Sequence, residues 1–291
     1  MAWAGERGTR FGARDVCRAF RAVVGVGLAS AAAACASGAT AETPDLLDPI
    51  SVYAVNSDDH TLSLMEGDDE TAVDSETWRR VRALLPPDIL DDRVAEFHVF
   101  SDGADEFLAY VAQLGTDRER WLFAVDYVDA VDADAGEWVT TLTHEFAHII
   151  GLGDSQVDPF AEQCGKQFEI DEGCARSTSW LQRWFDAFWA GERFVQHRKT
   201  VGDAEANPAA LEAFYRDHED AFVNEYAATN PVEDFAESFA YFVFMDRIVE
   251  PRTEREDKVN FFHDYPTLRS VRAHIRAQTA VRRAAIDDHP E

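Results

Sequence analysis

Lysine is almost missing from this 291-residue chain: Lys166, Lys199 and Lys258 are the only three among 27 basic residues, and the rest are arginine. Positive charge as a whole is short, because 55 acidic residues leave a formal net charge of -28. Such a surface repels a phosphate backbone, which excludes nucleic acid as a partner. Its plain meaning is a solvated acidic exterior. The chain also lacks any internal repeat. Its one N-terminal apolar run, residues 22–34, is too short to cross a bilayer unaided, which takes about 20 residues. What is present is the composition of a globular protein: 46% hydrophobic and 12% aromatic residues, enough to bury a core and to exclude wholesale disorder.

The apolar run follows Arg7, Arg10, Arg14, Arg18 and Arg21, the layout of a secretory signal. Residues 1–41 are therefore read as a signal segment with a linker and set apart from the fold. Two exits are written there. Ala32-Ala33-Ala34-Cys35 resembles a bacterial lipobox without its usual leucine, and Ala39-Thr40-Ala41 before Glu42 fits ordinary cleavage. The expectation is an exported protein, lipid-anchored at the envelope through Cys35 or secreted, with no other membrane contact. Cysteine is scarce, at four residues. Cys17 falls in the removed segment, which leaves Cys164 and Cys174 flanking the polar stretch GKQFEIDEG. An oxidising compartment makes a disulfide-closed loop the expected outcome, with free thiols or a second metal site as the other readings.

Residues 42–291 read as one domain. Strands are expected at 50–55, 96–100 and 121–128, with helices at 76–85, stopped by Pro86-Pro87, and at 104–114, where Phe107, Leu108, Val111 and Leu114 share a helical face. A helix opens near Gly136 and ends at Gly151, with Trp138, Leu142, Phe146 and Ile149 or Ile150 three and four apart. Further helices are expected at 178–194, at 208–226, from Pro231 onward, and at 258–280 with a break near Pro266. This order predicts an α+β fold: a small mixed sheet, then a mostly helical C-terminal half. The cysteine loop and the Trp-rich segment, about 155–225, are expected to form an insertion over a cleft.

His144-Glu145-Phe146-Ala147-His148 is an H-E-x-x-H pattern on the helix that ends at Gly151. Four residues turn a helix by about 400° and raise it by about 6 Å, so both imidazoles lean from one face and can meet one ion. Glu145, rotated by about 100°, can handle a water on that ion. Two satisfied histidines on an ordinary helix are the plain alternative. A catalytic zinc takes three protein ligands and keeps a fourth place open. Asp154, six residues after His148, is one candidate for the third ligand, in the manner of metzincins. Glu233 is the other, with Glu237 in reserve, both on a later helix as in gluzincins. Glu233 also has a structural reading: Asn230 suits an N-cap, Pro231 the first helical position, and Glu233 the N3 glutamate of a capping box.

The segment Tyr226-Ala-Ala-Thr229-Asn230-Pro-Val-Glu233-Asp-Phe-Ala-Glu237-Ser-Phe resembles the third-ligand segment of gluzincin peptidases of the anthrax lethal factor type. The likeness covers the two motif helices, about a third of the chain. It implies a zincin-like fold, one zinc ion held by His144, His148 and Glu233, Glu237 orienting a histidine ligand, and Tyr226 stabilising an oxyanion. With Glu145 as general base, the implied function is zinc-dependent hydrolysis of peptide bonds in a peptide or protein substrate, laid along a strand near Leu122–Val125. Two rival functions remain open at this point: an exported module that keeps the fold only to bind, and hydrolysis of a non-peptide amide.

Overall fold

A computed structural model of the chain describes residues 49–67, 71–101, 107–115, 119–132, 135–204 and 206–287. The expected signal segment, Cys17 and the lipidation site Cys35 lie outside the described residues. Among the described residues, no helix is long and apolar enough to cross a membrane.

Strands β1 (Ser51–Val55) and β2 (Leu62–Glu66) form an antiparallel hairpin. Helix α1 (Ala72–Leu84) follows, its first turn capped by the Thr71 side chain, which accepts from the Asp74 N–H. The Pro86-Pro87 pair ends α1 as expected, and Pro87 then opens α2 (Pro87–Arg93) from the first helical position, where a missing N–H costs nothing. Strands β3 (Val94–Phe100), β4 (Ala109–Gln113) and β5 (Trp121–Asp126) complete a five-stranded sheet of order β2-β1-β3-β5-β4. Only the β3–β5 pair is parallel.

Two expectations fail in this sheet, and both failures bear on the site. The helix expected at 104–114 is strand β4, paired with β5 from Ala109↔Val125 to Gln113↔Trp121. Its apolar residues fit both periods, and the period of two prevails because each face has a core to meet. Tyr110, Ala112 and Leu114 pack with Phe100, Leu122 and Ala124 on one side, while Ala109 and Val111 join the main core on the other. Consequently Leu122–Val125 is no edge. β5 is flanked by β3 and β4, and the open edge on that side of the sheet is β4.

Helix α3 (Tyr127–Asp132) leads into α4 (Ala135–Leu152), whose residues Trp138, Leu142, Phe146 and Ile149 are fully buried. Gly151 lies inside α4 and does not end it. A Cβ there would sit 3.0 Å from the Phe235 ring, so glycine is what lets another helix come close. Strands β6 (Val157–Asp158), β7 (Glu169–Ile170) and β8 (Gly173–Ala175) form a three-stranded sheet of order β6-β8-β7 that carries the expected Cys164–Cys174 disulfide.

The single helix expected at 178–194 is two, α5 (Trp180–Phe188) and α6 (Glu192–Thr200), because Gly191 takes φ 92 between them. Trp184 and Trp189 of this segment are buried in the main core, Trp184 meeting Phe235 and Phe262. Helix α7 (Pro208–Asp217) stops well short of Tyr226, which lies in a 3-10 turn, Tyr226–Ala228. Helices α8 (Pro231–Phe244), α9 (Glu254–Phe261) and α10 (Pro266–Asp287) close the fold, with a 3-10 turn at Phe262–Asp264 between the last two. One continuous cluster of buried side chains runs from Tyr53 to Ile275, so sheet and helices share a core.

Candidate metal centre

Helices α4 and α8 build the site by packing against each other. The apolar face of α4 and nearly the whole length of α8 are buried, and the contact through Gly151 and Phe235 holds the two close. Asn230 caps α8, its side chain accepting from the N–H groups of Val232 at 2.8 Å and Glu233 at 3.0 Å. Glu233 sits in the first turn, as a capping glutamate would, but its carboxylate is turned toward the histidines of α4. Its Oε2 lies 3.1 Å from His144 Nε2 and 3.4 Å from His148 Nε2. The two Nε2 atoms are 3.0 Å apart.

These separations fit a small tetrahedral cation. Donors at about 2.0–2.1 Å from a common centre lie about 3.3 Å apart in a tetrahedron. The three donor atoms fall within 4.8 Å of one another, and together they are the group among the described residues that could hold a metal ion. Glu233 Oε2 is buried and aimed at two ring nitrogens, with no hydrogen-bond partner beyond them. Two imidazoles and one carboxylate are the donor set of a catalytic zinc site with an open fourth place. Asp154 and Glu237 are not members of the group.

Glu237, one turn beyond Glu233 on the same face, reaches the opposite side of the same ring: its Oε1 is 2.7 Å from His144 Nδ1. A carboxylate at Nδ1 fixes the tautomer and turns the Nε2 lone pair outward to a metal. Asn224 donates from Nδ2 to Glu237 Oε2 at 2.6 Å. Burial alone would lower the basicity of His144, but Glu237 and Glu233 more than offset it and push its pKa well up. Burial raises Glu233 in turn, and the two histidines overcome that and hold its carboxyl well below the usual range.

Glu145 projects from α4 beside this group. Burial raises its pKa, and the His144 and His148 rings, followed by the Val111 main-chain N–H, oppose that rise. Asp126 N bonds Leu108 O, and Leu114 N bonds Arg120 O, so the even-numbered residues of β4 face β5 and Val111 faces the open edge. Helix α4 packs against β4, so the acid of the H-E-x-x-H motif lies beside the edge strand. Tyr226 lies with its ring centroid 5.9 Å from that of His144, and burial followed by the nearby Glu233 and Glu145 carboxylates raises its pKa well above the usual value. It stays a neutral O–H beside the Glu233 carboxylate.

The structure brings His144, Glu145, His148, Tyr226, Glu233 and Glu237 into one place, and it leaves Asp154 in the turn after α4. The residues with no signal in the sequence are Asn224 and Val111. Asn224 lies in an irregular stretch, and Val111 contributes main chain only. A further buried pair, Asp234 and Lys258, sits behind the site: Lys258 Nζ is 2.7 Å from Asp234 Oδ2, and Trp189 Nε1 donates to the same oxygen at 2.7 Å.

Residues 182–284 match the model of a family described as "Putative zinc-binding metallo-peptidase". The matched segment holds Asn224, Tyr226, Glu233 and Glu237, while His144, Glu145 and His148 precede it. It supports a zinc metallopeptidase and carries nothing particular to the lethal factor group. Comparison with curated proteins and with solved structures found no match.

Proposed function

We propose that this chain is a zinc-dependent endopeptidase with a zincin-like fold, exported from the cytoplasm, whose ion is held by His144, His148 and Glu233. The observation that supports it most is the close group of two Nε2 atoms and Glu233 Oε2, with Glu145 at its side. A zinc ion held by these three residues would supply Lewis acidity, activating water and polarising a carbonyl. Glu145 is the base: it takes the proton of the attacking water and returns it to the leaving amine. Its burial favours the protonated form through which it must pass. Tyr226 donates its hydroxyl proton in a hydrogen bond to the oxygen that gains charge.

The substrate is a peptide in extended form, laid along the open edge of β4 and not along β5. Main-chain pairing at an edge recognises a strand whatever its sequence, so side-chain pockets set the choice of bond. Glu145→Gln separates chemistry from binding. The variant is expected to retain its zinc and lose turnover of a denatured protein or peptide mixture by at least ~100-fold, the usual share of a general base. Hydrolysis at the wild-type rate in that variant removes Glu145 from the mechanism. Zinc bound at full occupancy without cleavage of any peptide by the wild type would instead favour a binding module.

A further inference from the structure

Asn224 makes two hydrogen bonds in opposite directions, and each ends on a different part of the site. Its Nδ2 donates to Glu237 Oε2 at 2.6 Å, and Glu237 Oε1 stands 2.7 Å from His144 Nδ1. Its Oδ1 accepts from the Ala227 main-chain N–H at 2.8 Å, which pins the start of the 3-10 turn that carries Tyr226. The far end of that turn is held as well: His197, buried between Trp189 and Phe214, bonds through Nε2 to the Ala228 carbonyl at 3.0 Å. Only one orientation of the Asn224 amide satisfies both partners, since a flip would set N–H against N–H and oxygen against carboxylate.

We infer that Asn224 is a positioning residue that ties the orientation of the His144 ligand to the placement of Tyr226, an inference that rests on the zinc-peptidase reading of the site. Glu237 uses one oxygen on His144, and the carboxylate as a whole is buried. Without the amide donor the second oxygen has no fixed partner, and the carboxylate is free to turn away from Nδ1. A partner in this shell around a metal is worth about 10- to 100-fold in affinity. The Oδ1 arm acts on a different quantity. Releasing the Ala227 N–H leaves Tyr226 on a loosened turn, which weakens a hydrogen bond made in the transition state and so lowers kcat more than it raises KM.

Asn224→Asp and Asn224→Ala divide the two arms. The aspartate keeps an oxygen for Ala227 N–H, loses the donor to Glu237 and sets carboxylate against carboxylate. The alanine loses both arms. Zinc affinity measured by chelator competition on the full chain is expected to fall about 10- to 100-fold in both variants. With zinc saturating, Asn224→Asp is expected to recover kcat to within about threefold of wild type, while Asn224→Ala stays about tenfold or more below it with KM little changed. A purely structural asparagine would lower the unfolding temperature and leave zinc affinity and the kcat split as in wild type. Equal zinc affinity in wild type and Asn224→Asp overturns the inference while the peptidase reading stands. Full recovery of Asn224→Ala by zinc overturns the Tyr226 arm, and a wild type that takes up no zinc overturns the site and this inference with it.

Discussion

At the scale of single residues, the site is a set of donors that satisfy one another only in part. Glu233 Oε2 is buried and faces two imidazoles, with no hydrogen-bond partner beyond them, a costly arrangement unless a cation completes it. His144 is gripped at Nδ1 by Glu237, so its Nε2 can point only toward Glu233 and His148. On the proposed mechanism the neutral Tyr226 hydroxyl has a task that phenylalanine cannot perform. Tyr226→Phe is expected to lower kcat by about 10²–10³-fold with zinc affinity unchanged, the usual loss on removing one oxyanion donor. Steady-state kinetics with parallel zinc titration check this, and an unchanged kcat would leave Tyr226 as a packing residue. Most of these residues were legible in the sequence, because H-E-x-x-H and the Glu233–Glu237 pair are fixed spacings on helices. Asn224 was not legible, since a residue in an irregular stretch has no period to betray it.

At the scale of elements, α8 must be held still for Glu233 to stay aimed at α4. Asp234, the next residue along, points away from the histidines into a fully buried pair with Lys258 of α9. Burial pushes the Lys258 ammonium down and the Asp234 carboxyl up, and each charge opposes that shift in the other. Lys258 also lies 4.1 Å from the Phe222 ring centroid, with the rings of Trp184, Phe188 and Trp189 around it. In a chain that otherwise chooses arginine, this compact aromatic box suits an ammonium and leaves little room for a guanidinium. Lys258→Met is expected to lower stability by about 3–5 kcal/mol because Asp234 is left as an uncompensated buried charge. Adding Asp234→Asn should recover most of that loss, as read from urea unfolding midpoints. No recovery in the double variant would mean that packing, not charge, is what the lysine supplies. The elements misread from sequence share a cause. β4 carries apolar residues at spacings that suit helix and strand alike, and only the presence of a core on both faces of the sheet decides between them. The break at Gly191 and the 3-10 turn at Tyr226 depend on tertiary partners that no local pattern records.

At the scale of the whole molecule, one core joins the sheet that carries β4 to the helices that carry the three donors. This is why an edge strand, a base and a metal group can be aligned by segments more than 100 residues apart in sequence, from Val111 to Glu233. The α+β order and the helical C-terminal half could be read from periodicity and proline placement. The strand at the open edge could not, because strand order is a property of the assembled sheet. The central claim is that Glu233, and not Asp154, completes the site with His144 and His148. Elemental analysis of the purified protein beside Glu233→Ala and Asp154→Ala tests it directly. The expected result is one zinc per chain in wild type and in Asp154→Ala, and none in Glu233→Ala. Zinc retained by Glu233→Ala and lost from Asp154→Ala, or absent from wild type, would contradict it.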